Sequence, residues 1–321
     1  MLKKLVLLLV LALSVFALAG CGENDKVTVG VLLTATHSAL NNAKDGFIEA
    51  LKANGYEDAE FVVRNPEGDS TTMNSMATEL VRKSDIVLGI GTPAAVALQS
   101  ARDAEQIDIT VLFTAVTDPI SAGLMTDASK PTDITGTNDM NPVAEQVDLI
   151  LELAPGIKKI GVLYNVAETN SQIQAEMVKA QAAKKGVAVV VKTVQAAGEI
   201  STATTALIQT EGVEAIYLPT DNLIAANMPA VASVADELGV PTVAGESGMV
   251  AAGGTITYAI NYKSLGNLTG EMAAKILSGT PCSQIPSTSV DASGLEVAIN
   301  DTSINNLGIE VPQSIKDKLE K

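Results

Sequence analysis

The side chains able to do chemistry in this sequence gather just after short β-branched runs. After residues 86–90 comes Gly91-Thr92-Pro93-Ala94-Ala95, and after 109–113 comes Thr114-Ala115-Val116-Thr117-Asp118-Pro119. Both are hydroxyl-bearing turns with proline placed for the first turn of a helix. Free N–H groups and the helix dipole at such a start suit an anion such as a carboxylate. Thr92, Ala94, Ala95, Ala115 and Thr117 are the candidates here; Thr92 equally reads as a helix cap, and Asp118 as a cap alone. After 159–164 come Asn165 and Glu168-Thr169-Asn170-Ser171, and Tyr164 offers an aromatic face with a polar tip. After 215–218 comes Pro219-Thr220-Asp221-Asn222, and after 241–243 comes Gly245-Glu246-Ser247-Gly248. A carboxylate at a strand end in a cleft pairs with an ammonium group. The bland alternatives are a cap for Asp221 and solvent exposure for Glu246. Thr36 and His37 follow the first run, where His37 is a ligand contact or an ordinary loop histidine. One half of the chain thus offers helix starts and hydroxyls and the other offers carboxylates, a polarity that suits a small zwitterion.

Catalytic and metal chemistry find little to work with. The single histidine, His37, excludes a zinc site built on several histidines, and a serine triad would have no other base. Gly245-Glu246-Ser247-Gly248-Met249 is not a nucleophile elbow, and no phosphate loop or H-E-x-x-H occurs. Gly89-Ile90-Gly91 begins like a dinucleotide fingerprint, but Ala94 stands where its last glycine belongs. No catalytic residue, metal ligand or cofactor is expected. The absence of tryptophan, with aromatics at 3%, disfavours a sugar receptor without removing it.

Ligands of doubly wound sheets bind beyond the carboxyl ends of parallel strands, so the elements behind these motifs matter. Strand runs at 27–33, 60–64, 86–90 and 109–113 alternate with helical patterns, and a second set at 159–164, 187–192, 215–218 and 241–243 repeats the arrangement. The fold class is α/β, one architectural unit used twice. Leu40, Ala43, Phe47, Ile48 and Leu51 mark a helical stripe stopped by Gly55; Ser171 reads as the cap of a helix reaching Lys185; Asn141-Pro142 opens another. The tail adds a strand at 255–260, a helix at 264–277 and a final strand and helix. It is expected to cross between lobes near 138–141, 244–247 and 282–286. The expected division is 27–138 plus 247–282 for the first lobe and 139–246 plus 283–321 for the second.

The N-terminus reads as an export signal. Lys3 and Lys4 precede an apolar stretch from Leu5 to Leu18, too short for a membrane span, and Leu18-Ala19-Gly20-Cys21 follows. A small residue before a cysteine is what lipoprotein processing needs, so residues 1–20 are expected to be removed, Cys21 to be acylated, and 21–26 to form a linker. Two or three acyl chains anchor a protein far better than one. Loss of Lys3 and Lys4 takes the formal net charge from −16 to −18, a surface that repels nucleic acid and anionic headgroups. Cys282, between Pro281 and Ser283, is left without a disulfide partner.

In order along the chain, Gly46-Phe47-Ile48, Thr92-Pro93-Ala94-Ala95, Ala115-Val116-Thr117-Asp118-Pro119, Tyr164-Asn165 with Glu168 and Asn170-Ser171, Pro219-Thr220-Asp221-Asn222, and Tyr262 with Leu265-Gly266 resemble the substrate-binding lipoproteins of ABC importers, in the branch typed as tryptophan/tyrosine-binding. The resemblance implies a type I periplasmic-binding-protein fold, two Rossmann-like lobes joined by three crossings with the ligand between them. It also implies that loops matching Thr92–Ala95 and Ala115–Thr117 hold the ligand carboxylate and that Asp221 meets the amine. Where relatives often carry Glu-His-Pro, this chain has Thr36-His37-Ser38, which bears on the side-chain pocket. The expectation is a monomeric, lipid-anchored receptor at the extracytoplasmic face that closes on a neutral, aromatic-type amino acid and serves an ABC permease and its ATPase. A receptor for a branched-chain amino acid, nucleoside or sugar, and a surface hydrolase, stand as alternatives.

Overall fold

The computed structural model describes residues 26–290 and 295–319; Cys21 and the expected signal segment lie outside them. β1 (Thr28–Leu33), β2 (Glu60–Arg64), β3 (Ile86–Ile90), β4 (Thr110–Val116) and β5 (Ile134–Asn138) pair in parallel in the order β2-β1-β3-β4-β5. The five residues of β3 are all buried, the continuous apolar run of a strand covered on both faces. The cover comes from α1 (Ser38–Ala53), α2 (Ser70–Lys83) and α3 (Thr92–Glu105). In α1 the stripe of Leu40, Ala43, Phe47 and Leu51 is buried, as its helical spacing requires. Asp69 caps α2 through the Thr72 amide, and Gly91 stands before α3 at φ +91°, a conformation that a side chain would strain.

The second lobe carries α4 (Val143–Leu153), β6 (Lys159–Asn165), α5 (Thr169–Lys184), β7 (Ala188–Val194), α6 (Ile200–Thr205), β8 (Ala215–Leu218), α7 (Asn222–Ala226), α8 (Met228–Glu237), β9 (Thr242–Ala244), α9 (Ser247–Ala251) and β10 (Ile256–Ile260). After α10 (Tyr262–Leu277) it is completed by β11 (Leu295–Ile299), α11 (Asp301–Leu307) and α12 (Gln313–Leu319). The sheet order is β11-β10-β9-β8-β6-β7, parallel except for β11, which runs against β10. The fold is therefore two mostly parallel α/β lobes, as the alternation of runs predicts. β5 has no counterpart in the sequence reading, because Ile134-Thr135-Gly136-Thr137-Asn138 is short and polar.

The chain changes lobe three times, and two of the changes fall later than expected. Residues 139–142 make the first link. The strand at 256–260 was expected in the first lobe, yet β10 hydrogen-bonds to β9 and β11 in the second sheet. The second link is therefore at residue 261, after which α10 returns to lie along α1. Glycines allow that return: a Cβ on Gly266 would stand 2.0 Å from the Ala43 carbonyl oxygen, and one on Gly46 would stand 2.2 Å from that of Lys263. Residues 285–289 also stay with the first lobe, since Thr135 donates to the Ile285 carbonyl and Thr288 bridges to Thr137. The third link follows them rather than lying at 282–286. The displaced boundaries share a physical cause: β10 supplies the neighbour that the short β9 needs, and the strand that closes the second sheet enters only after the third link.

Candidate functional site

The carboxyl ends of the strands in the two lobes face each other across a cleft that is largely shut. Thr117 Oγ1 meets Thr220 Oγ1 at 3.2 Å, and His37 Nε2 meets Asn222 Oδ1 at 3.2 Å. Between these contacts lies a small chamber with room for about one water-sized sphere, ≈10 Å³. The first lobe contributes His37 and Leu40 from the start of α1, Thr92 from the start of α3, Ala115 from the end of β4 and Thr117 just after it. The first link contributes Asp139, the start of α10 contributes Tyr262, and the second lobe contributes Asn170, Asp221 and Glu246. Ala115 has φ +55°, left-handed for a residue with a Cβ, where the β4–β5 register breaks between Phe113 and Val116. Backbone strain of about 1–3 kcal/mol at such a position is typical of sites under functional constraint.

The chamber holds polar atoms that the protein itself does not satisfy. His37 Nδ1, Thr92 Oγ1, Asp139 Oδ1, Asn170 Oδ1 and Glu246 Oε1 are buried without a hydrogen-bond partner. Unpaired buried polar atoms are costly and ask for an explanation. Their neighbours fix their roles. Asn222 Nδ2 donates to Glu168 at 2.6 Å, so Asn222 Oδ1 is an acceptor and His37 Nε2–H the donor. Burial lowers the His37 pKa to about 4, so the ring is neutral and its Nδ1 carries a lone pair. Asn170 Nδ2 donates to the Thr220 carbonyl at 2.8 Å, which leaves Asn170 Oδ1 as an acceptor.

The carboxylates differ in how far they are spoken for. Asp221 accepts from the Asn165 amide (2.8 Å), Ser171 Oγ (2.7 Å) and the Ile224 amide (2.9 Å). It is the cap of α7, and its hydrogen bonds are made within its own lobe. Glu168 grips the amides of Asn222 and Leu223; burial and the nearby Asp221 push its carboxyl up. Glu246 caps α9 through the Gly248 amide with one oxygen and leaves the other free; burial, with Asp139 adding repulsion, pushes it up to about 7. Asp139 accepts from Tyr262 Oη at 2.7 Å and is likewise raised by burial. Asp139 and Glu246, rather than Asp221, thus hold the free carboxylate oxygens.

A larger cavity of ≈560 Å³ adjoins the chamber, and Asn222 lines both. Thr36, Asn165 and Glu168 border it beside an apolar wall of Met73, Val96 and Leu223. Of the residues singled out in the sequence, His37, Thr92, Ala115, Thr117, Asn170, Asp221 and Glu246 line the chamber, and Thr36 and Asn165 line the outer cavity. Ala94 and Ala95 border neither: both are core residues, and their amides are taken by Thr34 Oγ1 and the Gly91 carbonyl. Tyr164 packs on the core of the second lobe, and Ser171 is committed to Asp221. Asp118 caps the turn after β4, and Ser171 lies inside the first turn of α5 rather than at its cap. Asp139 joins the site unannounced, and Asn222 and Tyr262, which the sequence reading placed in motifs without making them ligand candidates, join it too. Asp139 follows β5, the strand that the sequence reading lacks, so no strand-end rule pointed to it.

A family model described as ABC transporter substrate binding protein matches residues 27–320. A protein of Clostridioides difficile named tyrosine-binding protein is 34% identical, covering 96% of this chain and 93% of its own. A Streptococcus pneumoniae ABC domain in complex with L-Trp is 34% identical with a TM-score of 0.85, covering 92% of this chain and 98% of its own. The ligand-free, open structure of a C. difficile substrate-binding protein with adhesive properties is 35% identical, covering 89% and 96%, with a TM-score of only 0.66. Identity is nearly equal in the two structures, yet the chain superposes better on the L-Trp complex than on the ligand-free, open form.

Proposed function

The chain belongs to the ABC transporter substrate-binding protein family, whose members bind solutes rather than transform them, and from that premise we propose that it captures a neutral, aromatic-type amino acid between its lobes for an ABC permease and its ATPase. The observation that carries this reading is the set of unpartnered polar atoms in the interlobe chamber. A zwitterionic head supplies what they lack, with its ammonium toward Asp139 and Glu246 and its carboxylate toward Thr92. The side chain runs past Asn222 into the outer cavity, whose Met73, Val96 and Leu223 suit an aromatic ring. Ligand pockets commonly span about 300–1,000 Å³. The chamber alone falls far short of that, so the lobes part to admit the ligand and the contacts His37–Asn222 and Thr117–Thr220 re-form around it.

The binding proteins named for tyrosine and crystallised with L-Trp support the aromatic preference. A branched-chain amino acid would leave the outer cavity part-filled. Leu18-Ala19-Gly20-Cys21 supports removal of residues 1–20 and acylation of Cys21, which would hold a monomeric receptor at the extracytoplasmic face beside its permease. Among the described residues no helix is long and apolar enough to cross a membrane, so the acyl chains would supply the anchor. The test is calorimetry on protein stripped of ligand by unfolding and refolding, titrated with each common amino acid, nucleosides and sugars. Heat with tyrosine or tryptophan is expected. Heat only with a sugar or nucleoside would overturn the reading.

A further inference from the structure

His37 stands in the first lobe, and the groups that orient it stand in the second. Its Nε2 meets Asn222 Oδ1 at 3.2 Å across the cleft. Asn222 is not free to turn its amide round, because its Nδ2 donates to Glu168 Oε2 at 2.6 Å, a short bond to a carboxylate. Glu168 is held in turn. It accepts from the backbone amides of Asn222 (3.0 Å) and Leu223 (3.2 Å), which can only donate. It also accepts from Asn170 Nδ2 (3.2 Å), whose orientation the Thr220 carbonyl fixes at 2.8 Å. Every hydrogen bond that Glu168 makes among the described residues is one it accepts, and Glu168, Asn170 and Asn222 are all buried. A turned Asn222 would set its Oδ1 against the carboxylate and its N–H groups against His37.

Neutral imidazole has one donor and one acceptor nitrogen, and the bond made at one sets the role of the other. With Nε2–H committed to Asn222, Nδ1 is the acceptor, buried without a partner where His37 lines the chamber. The opposite tautomer would present an N–H there. Parted lobes take Asn222 away from His37, so only the closed arrangement fixes the tautomer. We propose that Glu168 is a positioning residue for ligand binding: through Asn222, and across the closed cleft, it fixes His37 as the Nε2–H tautomer and so offers an Nδ1 acceptor to a donor on the ligand. The effect passes through Asn222 and His37 and requires no contact between Glu168 and the ligand. This rests on the amino-acid reading only in the choice of ligand that closes the lobes.

His37 is the single histidine, so protein made without a histidine tag and with isotope-labelled histidine shows one imidazole. Long-range proton–nitrogen spectra at pH 8, above the ordinary histidine pKa of about 6.5, report which ring nitrogen carries the proton. Two closed samples are read. One is wild type saturated with L-tyrosine or L-tryptophan. The other is Thr117→Cys with Thr220→Cys, oxidised to a disulfide without ligand, since those hydroxyls meet at 3.2 Å across the cleft. Both are expected to show Nε2–H alone. In Glu168→Gln the new amide can donate to a turned Asn222, so the closed variant should show Nδ1–H. It should also bind the amino acid about tenfold or more weakly, a donor now facing a donor, with its fold checked by thermal melting. Should that variant not fold, Asn222→Ala is expected to show both tautomers in the same two samples. Nδ1–H in closed wild type, or Nε2–H alone in closed Glu168→Gln or Asn222→Ala, overturns the proposal. The disulfide-locked protein gives the tautomer with no ligand present. A chain that binds neither amino acid therefore overturns the amino-acid reading, while the role of Glu168 stands or falls on the locked sample.

Discussion

Replacing Glu246 by glutamine should make the ligand-free protein more stable and the ligand-bound protein less so. Glu246 is 1% exposed, and burial with help from Asp139 raises its carboxyl from 4.5 to about 7. An acid held above its unfolded pKa imposes no cost below about pH 4.5, and the full cost once the pH has passed about 7. At 1.36 kcal/mol per pKa unit, that cost is about 3 kcal/mol at pH 8. Glutamine keeps the acceptor for the Gly248 amide and carries no charge. The variant should therefore melt several degrees higher at pH 8, with most of the advantage gone at pH 5. Binding moves the other way. Breaking a buried, hydrogen-bonded charge pair costs about 2–5 kcal/mol, and the amide oxygen retains part of the contact, so Kd should rise about thirtyfold or more. In the wild type the incoming ammonium drives Glu246 to ionise. Binding then releases a proton below pH 7, and affinity climbs by up to about tenfold per pH unit from pH 5 to 7 before levelling. Scanning fluorimetry and calorimetry at pH 5, 6, 7 and 8 on both proteins read all of this. A variant that binds tyrosine or tryptophan within threefold of wild type, or a wild type whose affinity is equal at pH 5 and pH 8, refutes the assignment of Glu246 to the ammonium.

His37→Ala removes the Nε2–H that bridges to Asn222 across the cleft, so the ligand-free protein should sample open arrangements more. A larger radius of gyration by X-ray scattering is expected, and an unchanged one counts against the contact as a latch. Gly266→Ala drives a Cβ to 2.0 Å from the Ala43 carbonyl oxygen, a clash with backbone rather than with a yielding side chain. It should cost at least about 1–3 kcal/mol, read as a lower denaturant midpoint; a midpoint equal to wild type would show that α10 shifts freely. Cys21→Ser should abolish acylation and release the protein from the membrane fraction; a serine variant that still sediments with membranes and takes up labelled palmitate removes the lipoprotein reading.

The α/β repeat was legible because buried parallel strands leave apolar runs that punctuation by glycine and proline makes easy to bound. Residues 86–90 are the clear case, every one of them buried. The helix stripe ending at Leu51 was equally plain. β5 was not, since Thr135 and Thr137 face hydrogen-bond partners, not oil: Thr135 reaches the Ile285 carbonyl and Thr137 reaches Thr114 and Thr269. A strand stabilised by hydroxyl contacts to distant segments carries no hydrophobic period. The site suffered in proportion. Strand-end positions brought out His37, Thr92, Ala115, Thr117, Asn170 and Glu246, all now around one chamber. The same rule brought out Asp221, which lines the chamber with its carboxylate engaged by local capping and lobe-internal bonds, and Ala94 and Ala95, which border neither cavity and whose amides are spent on the loop and helix that present them. Which polar atoms remain unpaired is a property of tertiary contacts, and sequence spacing does not encode it.

The placement of Asp139 and Tyr262 ties ligand charge to lobe movement. Asp139 is the first residue of the first link, and Tyr262 opens α10 immediately after the second, so their 2.7 Å hydrogen bond ties the two links to each other. Asn141, on the first link, also accepts from the Ile260 amide at the end of β10. The links are thus cross-braced at the chamber, and the free Oδ1 of Asp139 belongs to that brace. In the ligand-free closed form Asp139 and Glu246 repel each other without an intervening cation, a repulsion that raises Glu246 and favours separation of the lobe from the links. An ammonium held between them, as proposed above, would turn that repulsion into attraction at the pivot, where a small change in angle moves the lobe rims furthest. Differential affinity of this kind, strong for the closed form and weak for the open, is what a ligand needs to shift the population toward closure. On the proposed placement of the ammonium, substitution of Asp139 or Glu246 at the hinge is expected to weaken ligand-driven closure more than substitution of Thr117 or Thr220 at the rim, read by X-ray scattering with and without ligand.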